Sequence, residues 1–121
     1  MPDLQTLINN IDNLRMDAEL NVVSSHSSFR SVLQRDARVR ALLNHLYDHP
    51  RDHLPVFMHI TKLLKDHPDP HYAHPHDAII AVLLYVVGEC GMYESSRYAL
   101  RFPKLFWAKR IAEDNLTGMY K

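Results

Sequence analysis

Four histidines, His67, His71, His74 and His76, fall within ten residues and alternate with Asp66, Asp69 and Asp77. Imidazole and carboxylate together form a ligand set suited to a divalent transition metal such as zinc, nickel or manganese. Pro68, Pro70 and Pro75 stiffen the stretch, so several donors could meet one ion at small entropic cost. His71, His74, His76 and Asp77 are the candidate ligands. Upstream, His45 and His49 are four residues apart and would share a helix face, with His53 just past Pro50. Pro50 limits how far that helix can carry His49. None of the nine histidines sits in a His-Glu-x-x-His pattern. Two other readings therefore stand beside a metal site: loop histidines that cap helices or face water, and a cluster that gains charge between about pH 7 and 5.

Other chemistry is thinner. Cys90, in Gly-Glu-Cys-Gly, closes an apolar run and reads as packing rather than as a nucleophile. A single cysteine excludes an internal disulfide framework and a multi-cysteine zinc finger. Ser24, Ser25, Ser27 and Ser28 surround His26 without the strand-turn-helix setting of a nucleophile elbow. Three glycines cannot build a phosphate-cradling loop, which argues against nucleotide-dependent transfer.

These groups must be positioned by helices. The 121 residues and 14.1 kDa suit one domain, with an apolar fraction of 46%. A 100° step aligns Leu4, Leu7, Ile8, Ile11, Leu14 and Ala18 over residues 3 to about 20, with Asp3 as N-cap and Asn21 as stop. After a serine-rich connection the pattern resumes from Phe29 to about Asp48. Asp36 falls inside that second stripe, so it either caps a new segment at a kink or is a buried ion-pair partner or catalytic acid. A third helix spans Asp52 to Lys65. The stretch Asp77 to about Glu89 is apolar on every side and should be a central, surrounded helix. Shorter helices follow from about Tyr93 to Leu100 and from Pro103 to about Leu116, with Gly118 as stop. The expected fold is a single all-α domain, 1–121, a bundle of five or six helices.

Net charge is zero, but residues 1–25 carry −3 and residues 26–51 carry +3. Arg30, Arg35, Arg38, Arg40 and Arg51 make the middle basic. They suit a solvated surface facing the acidic first helix, or more weakly an RNA-binding helical module. Zero net charge argues against a nucleic-acid partner held by bulk electrostatics. No apolar run approaches the roughly 18–20 residues that cross a bilayer, so no membrane partner is expected. The N-terminus lacks the pattern of a secretory signal, and with the lone cysteine this points to the cytoplasm.

In the last helix Phe106 projects with Lys109, Arg110 and Glu113, away from the stripe of Leu105, Ala108, Ile111, Ala112 and Leu116, while Trp107 lies at its edge. Phe106, Trp107 and Arg110 are thus candidate partner-binding residues, unless Phe106 packs inward on Tyr98 or Phe102. The leading expectation is a small interaction or accessory protein that self-associates as a homodimer; the alternative is a divalent-metal-dependent hydrolase using His71, His74, His76 and Asp77.

The pair His76-Asp77 resembles the metal-binding His-Asp pair of HD-type phosphohydrolases. That resemblance implies a helical, divalent-metal-dependent hydrolase. The earlier histidine would be His45 or His53, and the later acid Asp114. The match covers four scattered residues. It departs from the family in that the pair precedes an apolar helix instead of following one.

Overall fold

Short acidic side chains set the helix starts. Asp3 accepts a hydrogen bond from the Thr6 amide at 2.8 Å and opens α1 (Leu4–Asp12). Asp36 opens α3 (Ala37–Asp48) in the same way, accepting from the amides of Arg38 at 2.8 Å and Val39 at 3.2 Å. The preceding helix, α2 (His26–Arg35), ends just before it. The stripe predicted from Phe29 to Asp48 is therefore two helices broken at Asp36. The carboxylate is half-buried and paired with Arg38 at 3.1 Å instead of standing alone in the core.

The computed structural model describes residues 3–13, 26–65, 77–102 and 105–119. Beyond α3, a 3₁₀ turn (Pro50–Asp52) leads into α4 (His53–Lys65). Then come α5 (Asp77–Glu89), α6 (Glu94–Ala99) and α7 (Trp107–Met119). Among the described residues there are seven α-helices and no strand, so the protein is all-α. The seventh helix, beyond the five or six expected, comes from the break at Asp36. No helix among the described residues is long and apolar enough to cross a membrane.

Helix α5 lies at the centre. Eight consecutive residues, Ile80 to Val87, are at most 4% exposed, and the helix touches α1, α3, α4, α6 and α7. Each fully buried Leu, Ile or Val is worth roughly 1.5–3 kcal/mol against exposure, so this segment drives the assembly of the others. From α1 come Leu7, Ile8 and Ile11, as their spacing predicts; Leu14, Ala18 and Asn21 lie outside the described residues. From α3 and α4 come Val39, Leu42 and Leu46, then Val56, Ile60 and Leu64. The Tyr47 hydroxyl donates to the Glu89 carbonyl at 3.1 Å and ties α3 to the end of α5. Across the other flank, Nε2 of His59 donates to both carboxylate oxygens of Asp12 at 3.0 and 2.9 Å, joining α4 to α1.

Helix α7 runs parallel to α5, because Asp77 meets residues 106–108 and Leu84 meets Asn115. The Asn115 side-chain amide donates to the Leu84 carbonyl and to Ser96 Oγ, both at 3.0 Å, tying α7 to α5 and α6. Room for that amide exists because residue 88 is glycine; a Cβ there would land on it. Past Glu89 the chain turns through Gly91 at φ 80°. The Gly91 amide donates to the Gly88 carbonyl at 3.0 Å and the Met92 amide to Val87 at 2.9 Å, which is a Schellman closure.

Two helix starts differ from expectation. Helix α2 (His26–Arg35) takes in Ser27 and Ser28, which the sequence places in the serine-rich connection before Phe29. Helix α7 begins at Trp107, not Pro103, and continues through Gly118 to Met119. Its start is fixed from a distance by Asp77.

Candidate functional site

Asp77 is the first residue of α5, and its carboxylate reaches across to α7. Oδ2 accepts from the amides of Phe106 and Trp107 at 3.1 and 2.9 Å, and Oδ1 from that of Ala108 at 2.9 Å. Residues 105–107 (Leu-Phe-Trp) offer no short polar cap of their own, so α5 supplies one to a parallel neighbour. Of the candidate metal ligands, His71, His74 and His76 lie outside the described residues, as do His67, Asp66 and Asp69. His45 and His49 do share the end of α3, but their rings stack at 4.3 Å and 15° instead of aiming nitrogens at one point. Nε2 of His45 donates to Asp52 at 2.6 Å, and Nδ1 of His49 donates to the His45 carbonyl at 3.0 Å. Pro50 turns the chain so that Asp52 comes back under His45. Among the described residues, no group of three His, Cys, Asp or Glu side chains could hold a metal ion.

The candidate partner residues lie at the start of α7, on the Asp77 side of the molecule. Phe106 is 58% exposed. Its ring stands edge-on to Trp107 at 5.0 Å and 84°, and the Arg110 guanidinium lies 5.8 Å from its centroid. Trp107 is half-buried and anchors the pair to the core. Tyr98 and Phe102 pack on each other at 5.6 Å, with Arg101 over the Tyr98 ring at 5.4 Å. The basic residues are dispersed: Arg38 is on Asp36, and Arg35 donates to the Ser31 carbonyl within its own helix.

A concave site lies near the other end of α5, some ten residues or about 15 Å along the helix from Asp77. It is a cavity of about 340 Å³ between the 3₁₀ turn, α4, the C-terminal end of α5 and α6. Pro50, Leu54, Phe57, Val87 and Met92 form its apolar walls. The Schellman closure brings Met92 back beside Val87. Exposed Arg51 and Glu94 flank the opening, while buried His53 and Ser95 lie deeper. His53 is 7% exposed, and its Nδ1 is buried with no hydrogen-bond partner. Leaving such an atom unpaired costs roughly 1–3 kcal/mol, so it marks a place where stability is not the only demand.

From the sequence, His53 stands beside the upstream metal candidates, and Leu54 and Phe57 are simply part of the third helix. Arg51 enters there only as part of the basic middle of the chain, and Met92, Glu94 and Ser95 have no expected role. One signal was available: a glycine two residues past a helix end, followed by an apolar residue, pairs that residue with one five positions back. That pattern joins Met92 to Val87. Burial pushes the Cys90 thiol above its usual range, reinforced by nearby Glu89, which keeps it protonated and poorly nucleophilic.

The chain matches no known protein family, no curated protein and no solved structure.

Proposed function

We propose that this chain is a small cytoplasmic interaction module that pairs with a second copy of itself through the start of α7. The observation that carries the reading is the half-exposed Phe106 ring, held edge-on by Trp107 beneath the Arg110 guanidinium. Aromatic and arginine side chains dominate the energetics of protein interfaces, and Trp107 fixes the ring so that little entropy is lost on binding. The patch is also self-complementary. It carries an aromatic face and a cation side by side, so in a two-fold pair each Phe106 can receive the partner's Arg110. Lys109 and Glu113, 3.9 Å apart, extend the same mixture of charges along the helix.

A patch of this kind makes an interface at the small end of the range, with association in roughly the micromolar region or weaker. Sedimentation velocity of the full chain over increasing concentration, up to about 1 mM, is therefore the test. Wild-type protein should shift from monomer toward dimer. Phe106→Asp, an exposed change that leaves the core intact, should shift dissociation to at least tenfold higher concentration without altering the melting temperature by more than a degree or two. A strict monomer throughout, or a dimer indifferent to Phe106→Asp and Arg110→Glu alike, would overturn the reading.

A further inference from the structure

We infer that the cavity between α4 and α6 binds a small, uncharged, largely apolar molecule carrying one hydroxyl group, of the alkylphenol class, with His53 as the hydrogen-bonding partner. This goes beyond self-association and concerns a different surface. Size comes first: about 340 Å³ lies at the lower end of small-molecule sites and holds roughly ten water-sized groups. Water itself fills such a space poorly, because the walls are Pro50, Leu54, Phe57, Val87 and Met92 and each water needs two to four polar partners. A flat ring suits those walls, as aromatic and thioether contacts with Phe57 and Met92 favour one.

Polarity decides the rest. His53 is more than nine-tenths buried and its Nδ1 has no partner. Rotation about the second side-chain torsion of a histidine is soft and roughly two-fold, so the ring can turn a nitrogen toward an occupant at small cost. One neutral donor or acceptor on the molecule answers that single nitrogen. A charged molecule does not fit, since an ion would be stripped of water among the apolar walls, and Arg51 and Glu94 at the opening oppose each other in sign. A site built around one hydrogen bond should reject the analogue that lacks it, because the buried nitrogen then stays unpaired.

The matched probes are p-cresol and p-xylene, which differ by a hydroxyl in place of a methyl. Each is titrated into the isotope-labelled full chain while the backbone amide resonances are followed. For p-cresol, saturable shifts should cluster at residues 51–57 and 87–95, with affinity at least about five times that for p-xylene. His53→Phe keeps the shape of the ring and removes its nitrogens, so it should abolish this preference while p-xylene still binds. Leu54 is an exposed residue at the opening, so Leu54→Trp should leave the fold intact and weaken both probes about five-fold or more, which serves should His53→Phe not fold. Equal affinity for the two probes, a preference that survives His53→Phe, or shifts absent from these residues at millimolar probe would each overturn the inference.

Discussion

Gly88→Ala should destabilise the protein, although the same change in an ordinary helix interior stabilises it. Glycine inside a helix costs roughly 0.5–1 kcal/mol relative to alanine, so the backbone favours the substitution. The surroundings oppose it. The new methyl group would occupy the place of the Asn115 side-chain amide, which donates to the Leu84 carbonyl and to Ser96 Oγ, both at 3.0 Å. Displacing that amide forfeits two hydrogen bonds worth roughly 0.5–1.5 kcal/mol each, and Ser96 is fully buried, so water cannot readily replace the lost donor. Overpacking between α5 and α7 adds a further cost. The balance is a loss of about 1–2 kcal/mol, or roughly 4–8 °C in melting temperature for a chain of this size. In the Asn115→Ala background the obstruction is gone, and Gly88→Ala should then stabilise by about 0.5–1 kcal/mol. The sign reversal, a coupling of about 1.5–3 kcal/mol, is the decisive quantity. Urea denaturation of the four proteins, followed by far-ultraviolet circular dichroism with slopes compared, measures it. If Gly88→Ala stabilises the wild-type chain, or has the same sign with and without Asn115, the proposed seating of α7 on α5 is refuted.

Two further outcomes follow from the capping carboxylates. Asp77→Ala strands three amides at the start of α7 and should cost about 1–3 kcal/mol in the same assay; because Phe106 and Trp107 donate two of them, near-ultraviolet aromatic signals should change as well. Asp36 behaves differently with pH. Burial pushes its pKa up, but hydrogen bonds from the Arg38 side chain and from the Arg38 and Val39 amides, with the guanidinium charge, outweigh this and hold it below the ordinary carboxylate value. Its pKa is thus lower folded than unfolded, and the stability it contributes is complete above about pH 4 and disappears as pH falls through the folded value. The stability gap between wild type and Asp36→Asn should therefore be constant from neutral pH to about pH 5 and narrow below pH 4 in urea titrations. A gap independent of pH would show that the carboxylate charge plays no part.

How far the sequence discloses the molecule depends on the range over which its determinants act. The central position of α5 is legible because ten apolar residues in a row leave no face for water. The break at Asp36 is legible because a carboxylate amid Val32, Leu33 and Val39 is too costly unless the helix restarts there. Exposure of Phe106 follows from its angle on a helix drawn from Pro103, and it holds although α7 starts one residue after Phe106. Three features resist this reasoning. The cap on α7 comes from a residue 29 positions before Phe106, and no local pattern names it. The His45–Asp52 contact needs the turn at Pro50 to fold the chain back. The isolation of His53 depends on α5 and α6 closing over α4, which no spacing within α4 encodes.

Asp77 shows why a ligand set read from spacing must be weighed against the helix ends nearby. A carboxylate has roughly four lone-pair directions, and three amides already claim this one. A metal ion recruited to Asp77 would have to accept the remaining direction on an oxygen whose charge is partly neutralised by the N-terminus of α7, or draw the carboxylate away and free those amides. In the second case binding would loosen the segment that carries Phe106 and Trp107. Helix α5 thus does two separate jobs at its ends: its first residue seats the aromatic pair, and its closing turn shapes the cavity wall through Val87 and Met92. Eight consecutive buried residues separate the two. A rod packed on all sides has few ways to bend, so each end can carry its own surface without disturbing the other.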